Sequence, residues 1–329
     1  MKTILTYAVE AFHHSKKAIL TFWAALAAIW GVFNSLLSQE TGWNVLAIIS
    51  IIGILYAIWK YSVWFYHIVK GRMTVPFFGK RKTTLLRNDY QENMNYLLHQ
   101  LSSQELDKFA FVMGIDMTGD LSISSEGGVV YSVLKYLNEN YMCVDEKNTS
   151  EPVKPIDYIQ KSLNEHVAKC QAEDPSYKLD YGVCVEVGLN LRPINATDTD
   201  SAIPCNLILT ANSRKEVPND KNMEERMLDD NQSNIIVPNV FDYLMKTSRY
   251  EGVMIGVMGT NGMRQSYQVI FSQIINQFAR VCYKDSRSPL ESLYISIREK
   301  DYNNSHMSLS NLERYVRQCA EYYSTWAQE

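Results

Sequence analysis

The sequence predicts a two-helix membrane hairpin followed by an α/β domain of three layers, built on a mixed, mostly parallel sheet. Three observations predict it. Two uncharged apolar runs stand back to back, residues 18–37 and 41–59. Beyond Lys60, apolar runs of strand length alternate with segments of helical spacing, the pattern of a sheet covered on both faces. Two of those runs lead into glycine-bearing loops and then helices, at Glu126-Gly127-Gly128 and at Gly259-Thr260-Asn261-Gly262.

Each apolar run is long enough to cross a hydrocarbon core once, which takes about 20 helical residues. Ser38-Gln39-Glu40, closed by Gly42, is a short polar turn suited to two antiparallel helices. Trp43, Trp59, Tyr61 and Trp64 fall near the ends of the second run, where amphipathic rings favour the headgroup layer, and the helix itself can extend to residue 69. Lys16 and Lys17 precede the first run, and Lys60, Lys70, Arg72, Lys80, Arg81 and Lys82 follow the second. The positive-inside bias then puts both termini in the cytoplasm and exports only the turn with Glu40. A signal peptide fits poorly, because the first run exceeds an h-region of about 7–15 residues and no A-x-A-like site ends it. A hairpin buried in a soluble protein fits poorly too, since both runs are apolar on every face. Asn34 suits a hydrogen bond across helices or a place at the headgroup level.

Net charge is −4, an average that hides an asymmetry. Nine of the 32 Lys and Arg but two of the 36 acids lie in residues 1–82, giving +7 there and leaving 23 basic against 34 acidic residues, −11, beyond. An acidic head excludes broad nucleic-acid binding, which needs a basic patch, and the juxtamembrane cluster suits anionic lipid headgroups. Cys143, Cys170, Cys184, Cys205, Cys282 and Cys319 show no zinc-like spacing and read as reduced thiols of a cytosolic domain, so no metal is expected. The triplets at Asn148, Asn195 and Asn303 match the glycosylation pattern by chance on such a domain. Residues 1–70 are expected to form the hairpin and 71–82 a basic connector, and the residues from 83 to 329 suffice for one large domain or two small ones.

Within that domain the elements follow in order. Residues 83–86 read as a short strand, 93–101 as a helix, 109–114 as a buried strand, and 129–137 as a helix with Val129, Val133, Leu134 and Leu137 on one face. A surface helix is expected over 156–170, strands over 181–189 and 206–211, the latter bounded by Pro204, and a charged loop or helix over 215–233. Then come a helix over 237–246, a buried strand over 253–258, an amphipathic helix over 266–283, a strand over 293–297 and a closing helix over 309–327.

Glycines let backbone N–H groups approach an anion closely, and a helix N-terminus adds a favourable dipole. Two such loops at the carboxyl ends of parallel strands flank one crevice suited to a diphosphate. The order of these parts is similar to the macro-domain family. Ala110-Phe111-Val112-Met113-Gly114-Ile115-Asp116, Leu121 and Gly127-Gly128-Val129-Val130 resemble its first strand, turn and glycine loop. The run 253–262 resembles its second phosphate loop, and 293–297 with 298–303 and 309–315 its final strand, turn and helix. Insertions fall near 145–180 and 213–235.

The resemblance implies binding of ADP-ribose or a relative, with no cofactor beyond that ligand. It places Gly127, Gly128, Val129, Gly259, Thr260, Asn261 and Gly262 at the diphosphate. Asp116 falls where the family commonly has an asparagine near the distal ribose, Asp89 in place of the adenine-facing acid, and Tyr302 where it could stack on adenine. A two-span hairpin fused to a divergent macro domain resembles the transmembrane macro effector of type II Thoeris antiphage defence. That implies a bacterial inner-membrane protein paired with a TIR-domain enzyme whose product, histidine-ADP-ribose, drives homo-oligomerisation, membrane disruption and abortive infection.

A catalytic set is not legible. The hydrolases' asparagine-rich turn is Met113-Gly114-Ile115-Asp116 here, Glu126 stands alone, and His99, His166 and His306 lack a nucleophile signature. Gly79-Lys80 is followed by Arg81 and lacks P-loop spacing. The expectation is a sensor rather than an enzyme. A membrane-tethered ADP-ribosyl hydrolase and a cyclic-oligonucleotide sensor are the alternatives.

Overall fold

The computed structural model describes residues 53, 55–56, 58–59, 61–62, 71–121, 129–144, 152–196, 202–213, 233–257, 266–284, 288–298 and 309–326. The chain divides into two compact units, Met1–Met73 with Ser308–Arg314, and Thr74–Met307 with Tyr315–Glu329. The second unit carries nearly all of an eight-stranded sheet made of β1 (Arg72–Phe78), β2 (Arg81–Leu86), β3 (Phe109–Asp116), β4 (Tyr141–Cys143), β5 (Cys184–Pro193), β6 (Ile203–Ser213), β7 (Gly252–Gly256) and β8 (Ser292–Ser296). Their order is β1-β2-β8-β7-β3-β6-β5-β4. The neighbours from β2 to β6 run parallel, and β5 and β4 add antiparallel to that block. The mixed, mostly parallel sheet is thus as the sequence predicts.

Seven helices are described: α1 (Tyr90–Gln100), α2 (Ser103–Asp107), α3 (Val129–Asn140), α4 (Pro155–Glu173), α5 (Ile236–Thr247), α6 (Tyr267–Lys284) and α7 (Leu309–Trp326). Side chains alternate across a strand, so β3 shows which helix covers which face. Phe109, Phe111, Met113 and Ile115 share one apolar cluster with Met94 and Leu97 of α1, Val133 and Leu137 of α3, and Ile159 and Leu163 of α4. Ala110 and Val112 are buried outside that cluster. On the other face α5 and α6 pack together, and Tyr315 and Ala320 of α7 meet Phe271 and Tyr283 of α6. These are the two outer layers.

The segment 71–82, expected as an irregular basic connector, instead forms β1 and the start of β2 around the two-residue turn Gly79-Lys80. Pro76 concealed the strand, because proline cannot donate to a ladder; at the sheet edge, where β1 lies, that costs little. Arg81, expected among lipid-facing charges, donates to the carbonyls of Cys282 and Ser288 and so ties β2 to the end of α6. Pro204 lies inside β6 rather than bounding it, opposite Asn190 of β5 and before β6 begins to pair with β3 at Asn206. The helix expected over 156–170 is longer, β4 and α2 were not legible, and the remaining helices and strands lie within a few residues of expectation.

The spans 18–37 and 41–59 fall almost wholly outside the described residues. Of the second, Gly53, Leu55, Tyr56, Ile58 and Trp59 are helical, and the last four are exposed by 47–61%. Among the described residues no helix is long and apolar enough to cross a membrane.

Candidate functional site: the crevice between β3 and β7

Strands β3 and β7 are parallel neighbours in the middle of the sheet. From β3 the chain passes through α3 on one face to β4 at the far edge. From β7 it passes through α6 on the other face to β8 on the opposite side. Connections that diverge from adjacent strands leave a crevice outside the carboxyl ends, the usual ligand position in open α/β sheets.

Tyr90 sits where the two strands stop pairing. Pairing of β3 with β7 ends at Val112 and Ile255, while β3 continues beside β6 as far as Asp116 and Ser213. There the Tyr90 hydroxyl donates to the carbonyls of Val112, at 2.9 Å, and Met254, at 3.2 Å. Its ring lies under β7, where a Cβ on Gly256 would stand 3.1 Å from it. Burial pushes the phenol well above its ordinary range, so it stays a neutral donor.

The start of α1 is fastened to the same end of the sheet. Buried Asn93 donates from Nδ2 to Ser296 Oγ of β8 at 2.8 Å and to the Asn88 carbonyl at 2.9 Å. Asp89 occupies the N-cap position, exposed, and its side chain makes no capping bond. A carboxylate there lies beside the positive end of the helix dipole.

At the end of β3, Asp116 closes a turn. Its Oδ1 accepts from the Thr118 N–H at 2.9 Å, and its carbonyl accepts from the Gly119 N–H at 3.0 Å. Gly119 has φ +70°, and a Cβ there would stand 3.0 Å from Leu179, so glycine is required twice over. Beside it, the Asn212 amide of β6 occupies the space a side chain on Gly114 would fill.

Asp89, Asp116 and Val129 are thus placed by the structure. Val129 opens α3 with its side chain 42% exposed. Asp89 and Asp116 follow strands three places apart in the sheet order, a separation of about 14 Å at the usual strand spacing. Gly127, Gly128, Gly259, Thr260, Asn261, Gly262 and Tyr302 lie outside the described residues. Sequence reasoning missed Tyr90, Asn93, Ser296 and Asn212. A polar residue at a core position of an amphipathic helix is the signal that could have found Asn93; nothing local marks the other three.

The sequence matches no family model and no curated protein. Among solved structures the chain is similar in course to the Oceanobacillus iheyensis macrodomain with ADP, at 10% identity and a TM-score of 0.42 over 74% of this chain and 96% of that one. It is similar also to poly(ADP-ribose) glycohydrolase from Deinococcus radiodurans in complex with ADP-ribose, at 8% identity and a TM-score of 0.38 over 72% and 83%.

Proposed function

We propose that the α/β domain is a receptor for an ADP-ribose-type nucleotide, and that the hairpin is its output in a bacterial inner membrane. The observation that carries this reading is the fork between β3 and β7. Each of these adjacent parallel strands runs into a connection that holds glycines and ends in a helix N-terminus. Such a pair suits a diphosphate. Asp89 and Asp116 then stand on either side, too far apart to share one small group, and as carboxylates they suit hydroxyl or amino groups at the two ends of an extended ligand.

In this reading the protein belongs to an antiphage pathway. A TIR-domain enzyme supplies histidine-ADP-ribose, the receptor binds it and self-associates, and the hairpins disrupt the membrane. Ligand binding drives assembly only through a difference in affinity between the resting and assembled states. A shift from 1:99 to 99:1 takes about 5.5 kcal/mol.

Calorimetry on the full chain in detergent, against ADP-ribose, histidine-ADP-ribose and a panel of cyclic dinucleotides, tests the receptor. Saturable binding of an ADP-ribose compound is expected, with product analysis showing the ligand intact. Binding of cyclic dinucleotides alone would replace this reading with the cyclic-nucleotide sensor, and cleavage of the ligand would replace it with a hydrolase. Light scattering with and without ligand tests assembly. An unchanged mass at saturation would remove the assembly step.

A further inference from the structure

Helix α4 lies in the insertion near 145–180 that the macro-domain resemblance leaves without a role. Its side chains nevertheless hold the stem of the β3–α3 connection. Gln160 donates from Nε2 to the Gly119 carbonyl at 2.8 Å and accepts at Oε1 from the Leu121 N–H, also at 2.8 Å. Its second Nε2 hydrogen goes to Asn164 Oδ1 at 2.9 Å. A flipped amide would set donor against donor and acceptor against acceptor, so the network admits one orientation.

Two further features place α4 against this part of the chain. Leu163 of α4 and Leu179 lie 3.4 and 3.0 Å from the Cβ position of Gly119. At the start of α4, the Ile156 N–H donates to Asn138 Oδ1 near the end of α3 at 3.0 Å. One helix therefore touches the chain both where it leaves β3 and where α3 ends. Within the stem, Asp116 and Thr118 close the turn by their own bonds, leaving Gly119 and Leu121 as the backbone groups that α4 satisfies.

We propose that Gln160 is a positioning residue, which fixes residues 117–121 beyond Asp116 at the end of β3 and so sets nucleotide affinity without touching the nucleotide. The proposal rests on the receptor reading above. Binding that must also order a loose stem is weaker by the free energy of ordering it, and the Gln160 amide removes part of that cost in advance.

The test compares the full chain in detergent as wild type, Gln160→Met, Gln160→Glu and Ser102→Ala, by ADP-ribose calorimetry and by amide exchange at Leu121. Met keeps the length and apolar stem of the side chain but neither hydrogen bond. Glu keeps the acceptor for the Leu121 N–H and loses the donor. Ser102→Ala removes the capping box of α2, away from the crevice, and controls for stability loss alone. Expected are faster exchange at Leu121 and roughly tenfold weaker binding for Gln160→Met, an intermediate Gln160→Glu, and wild-type affinity for Ser102→Ala. Wild-type affinity in Gln160→Met, with or without faster exchange, overturns the positioning role and leaves the receptor intact. Equal weakening by Ser102→Ala also overturns it, because affinity would then follow stability. Absence of binding by the wild type overturns the receptor reading, and the positioning role with it. Should Gln160→Met not fold, Gln160→Glu against Ser102→Ala decides by the same criteria.

Discussion

Tyr90 bridges β3 and β7 at the carboxyl end of their pairing. Its hydroxyl serves two carbonyls at the point where two strands part, in a place water does not reach. Tyr90→Phe keeps the ring under Gly256 and leaves both carbonyls without that donor, so a loss of about 1–3 kcal/mol is expected, read as a lower Tm in detergent. Asp116 differs in kind, because its carboxylate closes a turn at the carboxyl end of β3 and, in the proposed reading, also serves the ligand. Asp116→Asn retains an acceptor for the Thr118 N–H and removes the charge. Unchanged stability with altered ADP-ribose affinity is expected, and calorimetry beside a melting curve checks it; equal affinity would remove Asp116 from the site.

At the scale of elements, α2 shows how a short helix without strong propensity is held. Asn206 of β6 donates from Nδ2 to the carbonyls of Leu106, Asp107 and Phe109, each at 3.1 Å, and so satisfies the end of α2 where the chain enters β3. Its Oδ1 accepts from Arg249, whose guanidinium also meets Glu186 at 2.7 Å. Asn206→Leu is expected to cost about 2–4 kcal/mol, as buried carbonyls and a cation lose a partner together, measurable by chemical denaturation. Neither α2 nor β4 is legible in the sequence. Elements of five and three residues carry too few positions for a period to emerge, and their partners lie far along the chain. The longer elements were legible because the burial pattern repeats enough times to be read, as in α6 with Ile270, Phe271, Ile274, Ile275 and Phe278 all buried.

For the whole molecule, burial of titratable groups sets an alkaline limit. The Cys143 and Cys282 thiols are pushed from 9.0 up to about 12 by burial, and Tyr90 is raised above 10.0 by the same cause. The folded state keeps protons that the unfolded chain releases, so this stability is whole below pH 9 and declines as the pH rises through 9 to 12. Melting curves from pH 8 to 11 should show Tm falling above about pH 9. A maleimide at pH 7.5 should label Cys170 of the native chain and spare Cys143, Cys205 and Cys282 until it unfolds, since three are buried and one is half-exposed. Labelling of Cys205 in the native state would contradict the packing of the β6 face.

The α/β class, the course of the long elements, the charge asymmetry and the two glycine-bearing connections are legible along the chain, because all of these are local or periodic properties of it. It took the folded chain to make β3 and β7 neighbours, to set Tyr90 across them, to turn 71–82 into a sheet edge, and to bring Gln160 to a stem 39 positions away from it. Those facts follow from which hydrogen-bonding groups the folded chain brings together, and a pairing across such separations leaves no mark on either partner's neighbours in sequence.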